Sequence, residues 1–165
     1  MTAGGIKKPI WFALTALRSL RGEVIAQGSC CCVLRIPTDR DPIYAVPVCS
    51  LSDSLKSICH EELAPSEVKG LIESFRDEIH LDVTLRLEPG SYSVIRYSMT
   101  QENTLFAHMA ALDFRSNAIP AGPGAGLMDD YPQQECSLEE VRTALNLSFT
   151  LKGPSLQLAI ISRCR

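Results

Sequence analysis

The residues of this chain that could do chemistry are seven cysteines, three histidines and scattered carboxylates, in 165 residues. The thiols are Cys30, Cys31, Cys32, Cys49, Cys59, Cys136 and Cys164. Their number is odd, three are consecutive, and neighbours in sequence cannot all pair locally. Nothing at the N-terminus reads as a secretory signal, so free thiols in a reducing, intracellular compartment are expected. No C-x-x-C spacing exists, which argues against a zinc ribbon or a thioredoxin-type site. Cys30-Cys31-Cys32 has the composition of a lipidation site, but it runs straight into Val33-Leu34-Arg35-Ile36. Small residues buried in a strand are the simpler reading. His60 follows Cys59 directly, and adjacent positions on a helix point apart, so the two form no dyad. His80 is expected at a helix C-terminus, where a cation complements the dipole. Glu61 and Glu62 read as a solvated helix face. No nucleophile elbow, metal motif or cofactor fingerprint occurs. The expectation is therefore a non-enzymatic protein with no cofactor, no metal and no small-molecule substrate. Cys59 is the residual candidate nucleophile, and that role would demand a depressed thiol pKa.

Composition narrows the partners. A net charge of -3 supplies no electrostatic footprint for nucleic acid or an anionic membrane. The chain is 45% hydrophobic and 21% charged, ordinary for a globular protein, and its length suits one domain with a sizeable core. No apolar run approaches the ~20 residues of a membrane span. Asn146-Leu147-Ser148 matches a glycosylation sequon, without consequence where no secretory signal precedes it.

The positioning elements centre on residues 81–114. Val83, Leu85 and Leu87 alternate with Asp82, Thr84 and Arg86, the period of a half-buried strand. Glu88-Pro89-Gly90-Ser91 is a turn signal, and residues 92–98 return as a strand, so a central hairpin over 81–98 is expected. A polar run then leads to Leu105-Phe106, with His108 just beyond. Phe106 is either tucked into its own fold or offered to a partner.

Upstream, residues 1–8 are expected to be disordered. Residues 10–20 fit a helix through Ile10, Leu14 and Leu17 and a strand through Trp11, Phe12 and Thr15. Residues 23–27 suit a short strand. Residues 30–36 and 43–48 read as a hairpin, with Pro47 marking an edge or an end. Two helices follow over 52–75, the first carrying Leu55 and Ile58 and the second Val68, Leu71, Ile72 and Phe75. Residues 118–135 are a Pro- and Gly-rich loop without the residues of a phosphate loop, and disorder is expected there. Ser137-Leu138-Glu139-Glu140 is a capping box that opens a short helix to about residue 145. Residues 147–151 and 156–161 are two final strands.

Several of these segments resemble one family. Val33-Leu34-Arg35-Ile36, then Thr38-Asp39-Arg40-Asp41-Pro42 and Ile43-Tyr44, look like the strand, acidic turn and aromatic strand opening the signature of the centriolar cartwheel proteins, the spindle assembly abnormal protein 6 family. The two-helix segment, Leu85 and Leu87, and Glu102-Asn103-Thr104-Leu105-Phe106-Ala107-His108-Met109 are similar in position to later parts of that head. The match covers about residues 30–114. It implies an α+β fold: an antiparallel β-sandwich or barrel head with an inserted helix-turn-helix, shared with DNA-end-joining scaffold heads. The expected organisation is a disordered N-terminus over 1–8, a head over 9–115, a loop over 116–136, and a short helix with two strands over 137–165 packing on the head. In that family one residue of the loop before the last strand plugs a pocket on a second head. The resemblance nominates Phe106 as that plug, with Leu105 and His108 beside it. Leu105 stands where the family usually has Pro, and no heptad pattern follows residue 114. The chain thus looks most like the coil-less paralogue, which implies a cytoskeletal scaffold at the basal body, the base of the flagellar axoneme or the apical complex. Its partner would be itself or a related cartwheel protein. The alternative from the residues is a peptide-binding adaptor whose contact is the 118–135 loop.

Overall fold

A computed structural model describes residues 9–50, 70, 74, 77–100, 103 and 132–164. Helix α1 (Pro9–Ser19) precedes eight strands: β1 (Glu23–Gln27), β2 (Cys32–Ile36), β3 (Ile43–Ser50), β4 (Glu78–Arg86), β5 (Gly90–Met99), β6 (Gln133–Val141), β7 (Ala144–Lys152) and β8 (Ser155–Arg163). Six strands form one sheet in the order β1-β2-β3-β8-β5-β6, and β4 pairs with β7 in a second. All pairings are antiparallel. The expected antiparallel sandwich is present. The expected helix-turn-helix falls on residues 52–75 and lies outside the described residues, apart from Gly70 and Ser74, as do Leu55, Ile58, Leu71 and Phe75.

The main core lies between the two sheets. Leu145, Leu147, Phe149 and Leu151 point inward from β7, while Asn146, Ser148, Thr150 and Lys152 alternate outward. The larger sheet answers with Val46 and Val48 from β3, Tyr92 and Val94 from β5, and Ala159 and Ile161 from β8. Complete burial of one such aliphatic side chain is worth about 1.5–3 kcal/mol. β8 lies between β3 and β5 and is covered on both faces: Leu158 and Ile160 join Leu34 and Ala45 in an outer cluster under Ala16 and Leu20, beside the end of α1. Residues 10–20 therefore resolve as helix. The face that docks carries Ala16, while Leu14 and Leu17 of the expected stripe are 59% and 45% exposed.

Four expectations are corrected. The helix over 137–145 is absent: residues 133–141 form β6, paired residue for residue with β5 from Gly90↔Val141 to Ser98↔Gln133. A capping box contributes about 1 kcal/mol locally. That is small beside a nine-residue ladder and the core positions of β7, which a helix through residue 145 would disrupt. Gln133 to Glu135, assigned to the loop, belong to this strand. The central hairpin over 81–98 is also not formed, because β4 and β5 lie in different sheets. The Glu88-Pro89-Gly90 connection carries the chain across the sandwich, so Leu85 and Tyr92 face one core from opposite walls. Finally, His80 lies in β4 rather than at a helix end, with Nδ1 3.2 Å from Thr150 Oγ1 and Nε2 3.3 Å from Glu78 Oε1.

The crossing is held by side chains from distant parts of the chain. Tyr92 donates its hydroxyl to Glu88 O at 3.0 Å, and Arg163 Nη2 donates to Pro89 O at 2.8 Å. Arg163 Nη1 also lies 3.2 Å from Glu88 Oε2 and 3.7 Å from Asp41 Oδ1. Gly90, at φ +152°, accepts a geometry that a side chain disfavours. A Cβ there would meet Arg163 Nε at 3.1 Å.

Burial pushes the Tyr92 phenol above the usual tyrosine range; Arg163 opposes this, while Glu88, Tyr44 and Asp41 add to it. The fold thus favours the neutral phenol. Its contribution to stability is fully present below the ordinary value near 10 and is lost as pH rises through the higher folded value. Tyr92→Phe is expected to flatten the alkaline fall in melting temperature, at a neutral-pH cost of about 0.5–1.5 kcal/mol for the lost hydrogen bond. Melting curves of both proteins from neutral to strongly alkaline pH check this; equal alkaline slopes would refute it.

Candidate binding cleft

Leu105, Phe106 and His108 lie outside the described residues, as do Cys59 and His60. The base of the segment leading to them is described at Asn103. Its Oδ1 accepts from Thr100 N at 2.6 Å, and its Nδ2 donates to Ser98 O at 3.1 Å and Gln133 Oε1 at 3.5 Å. Asn103 therefore fixes the exit from β5 against the start of β6.

Beside it the inward face of the large sheet changes from apolar to polar. Along β5, Tyr92 and Val94 belong to the core, whereas Arg96 and Ser98 continue the same face. Arg96 stands opposite Glu135 on β6 and Ala159 on β8, and Ser98 opposite Gln133 and Gln157. Arg96, Ser98, Gln133, Glu135 and Gln157, with Phe149 from the facing sheet, line a cleft of ≈ 160 Å³. A dry core would make such groups costly, since polar atoms withdrawn from water need partners. The partners are present. Arg96 Nη1 donates to Ser148 O at 2.8 Å, and its guanidinium carbon lies 5.3 Å from the centre of the Phe149 ring, within cation–π range. Gln157 Nε2 donates to Thr150 O at 2.9 Å, and Gln133 Nε2 to Glu135 Oε1 at 3.4 Å.

The volume is below the ~300–1,000 Å³ of drug-sized ligand sites and suits one side chain or a small polar group. Inspection of motifs missed Arg96, Gln133, Glu135 and Gln157, which come from three strands. The legible signal was an arginine two positions beyond Val94 on an inward-facing register. No group of three or more metal-ligating side chains is assembled among the described residues, and none of their helices is long and apolar enough to cross a membrane.

These features define an antiparallel β-sandwich module with one helix on its outer face among the described residues. No protein-family profile matches the chain, and no curated protein matches it. Solved structures share its fold, two of them glycosidase-type enzymes by description. One is a GH39 enzyme from Xanthomonas axonopodis pv. citri, at TM-score 0.66 and 12% identity over 98% of this chain and 31% of that one. The other is a monomeric beta-xylosidase from Caulobacter crescentus CB15, at TM-score 0.64 and 14% identity over 99% of this chain and 32% of that one. The chain thus spans about a third of each neighbour's length. Both neighbours are enzymes by description, and at such identity the likeness extends to the fold alone.

Proposed function

We propose that this chain is a non-enzymatic scaffold module that associates weakly with copies of itself or with a related cartwheel-type protein. Its setting would be the one the family resemblance implies: the cytoskeleton at the centriole, basal body, flagellar base or apical complex. The observation that carries the reading is the pair of sheet ends. β1 and β6 are the terminal strands of the six-stranded sheet among the described residues. Val24 and Ile25 of β1 are 53% and 47% exposed, and Leu138 of β6 is 74% exposed. A terminal strand offers backbone N–H and C=O groups to a further strand, and an exposed aliphatic side chain beside them gains by being covered. Single contacts of this size are weak and become effective when repeated. The cleft supports the non-catalytic part of the reading: Arg96 and Gln157 are engaged with backbone carbonyls and Gln133 with Glu135, an arrangement suited to recognition more than to proton transfer.

Phe106 is the second proposed contact, on the strength of the resemblance. Sedimentation velocity over a concentration series, for wild type, Leu138→Lys and Phe106→Glu, tests both. Wild type is expected to associate, and each variant to stay monomeric at an unchanged melting temperature. A monomeric wild type at every concentration refutes self-association. Loss of association in Leu138→Lys alone assigns the contact to the sheet edge and removes Phe106 from it.

The cleft favours a second reading, a binding module without self-association. Its guanidinium, carboxylate and carboxamide groups beside an aromatic ring suit a polar peptide side chain. They also suit a hydroxyl-rich sugar, the class of ligand the beta-xylosidase neighbour's description suggests. Calorimetric titration with peptides and with xylo-oligosaccharides, against wild type and Arg96→Met, separates these ligands.

A further inference from the structure

Four cysteines lie along the backbone where β2 begins and β3 ends, with Cys31 and Cys32 on opposite faces of the sheet. The β2–β3 register runs from Ile36↔Ile43 through Leu34↔Ala45 and continues to an isolated bridge at Cys31↔Val48. One step further, the same register sets Cys30 opposite Cys49, and Cys49 N donates to Cys30 O at 2.8 Å. Directly opposed residues of an antiparallel pair share a face. Hydrogen-bonded pairs hold their Cα atoms ~5.5 Å apart, inside the ~4.4–6.8 Å that a disulfide accepts. All four cysteines are free thiols; Cys49 is exposed and Cys30 partly so.

From this placement we infer that Cys30 and Cys49 form a cross-strand dithiol site that exchanges with small-molecule disulfides and closes reversibly to an intramolecular disulfide. The neighbouring thiols are set apart from this role. Cys31 packs inward against the main core, and Cys32 joins the outer apolar cluster. Burial, followed by the charges of Cys31 and Cys49, pushes the Cys32 thiol up, so less of it is the reactive thiolate at neutral pH.

The chemistry balances without a metal. The Cys49 thiolate attacks one sulfur of a small disulfide, forming a mixed disulfide and releasing one small thiolate. The Cys30 thiolate then attacks the Cys49 sulfur, and the second small thiolate leaves. Two protein thiols lose two electrons and two protons, and the small disulfide gains them as two thiols. Cβ atoms of opposed strand residues lie ~4.5–5.5 Å apart, against ~3.5–4.5 Å in a disulfide, so closure draws the strands together. Cys49 is the penultimate residue of β3 and is paired with Leu156 of β8 on its other side, whereas Cys30 precedes β2, so Cys30 is the position that moves. A strained, accessible disulfide of this kind is the reducible type.

The test treats the full chain with oxidised glutathione, blocks residual thiols by alkylation and maps disulfides by peptide mass. Wild type is expected to yield a Cys30–Cys49 cross-linked peptide that dithiothreitol reverses. Cys30→Ser is expected to trap glutathione on Cys49, about tenfold more than wild type, because a neighbour at millimolar or higher effective concentration no longer resolves the adduct. Cys32→Ser is expected to leave the cross-link unchanged. A dominant Cys32–Cys49 cross-link, or equal glutathione adducts in wild type and Cys30→Ser at equal melting temperatures, overturns the inference.

Discussion

Phe149→Ala is expected to destabilise the fold by about 3–5 kcal/mol, the range for removing a buried aromatic side chain. Phe149 is 3% exposed and belongs to the main core from the inward face of β7. The cost has two sources. The surrounding residues relax only partly into the space left behind. In addition, Arg96 loses the ring beneath its guanidinium while remaining tied to Ser148 O, and a solvent-accessible cation–π contact contributes about 0.5–1 kcal/mol. Phe149→Leu keeps apolar fill and removes the ring, so it is expected to lose less. Urea unfolding measured by fluorescence and circular dichroism gives both values. A loss below about 1 kcal/mol for the alanine variant, typical of average rather than core sites, would mean that this ring does not anchor the sheet interface.

Leu151→Ala is the second large effect, about 2–5 kcal/mol. Leu151 has no exposed surface and pairs across the small sheet with Ile79. Leu138→Ala is the matched control. Leu138 is 74% exposed on β6, and a surface substitution normally changes stability by less than about 0.5 kcal/mol. Both leucines belong to strands, so their contrast separates burial from residue type. Similar losses at the two sites would refute the placement of β6 as the exposed end of its sheet.

Much of the local structure is legible in the amino-acid order. Val83 and Leu85 alternate within β4, and the strands expected at 23–27, 30–36, 43–48, 147–151 and 156–161 form as 23–27, 32–36, 43–50, 144–152 and 155–163. Gly90 has a positive φ, but the Pro-Gly segment leads the chain from one sheet to the other and closes no hairpin. The site was far less legible. Arg96, Gln133, Glu135 and Gln157 carry no spacing motif, because they are brought together by β5–β6 and β5–β8 pairings across up to 61 positions of sequence. Phe106, Leu105 and His108, which the family resemblance nominated, lie outside the described residues, and the sedimentation series tests Phe106.

The division has a physical reason. Alternation and turn chemistry act over a few residues, so the amino-acid order alone determined that this chain builds amphipathic strands around an antiparallel core. Partner choice is different, because a period-2 strand fits any neighbour that buries its apolar side. Only the tertiary structure decided that β4 leaves β5 for β7, that β8 enters between β3 and β5, and that Ser137 to Glu140 extend as strand. Each of those outcomes is governed by long-range backbone pairing and core burial, whose summed free energy exceeds the roughly 1 kcal/mol of a local cap. The same pairings carried the cysteines at positions 30 and 49 into opposition and left Leu138 facing outward.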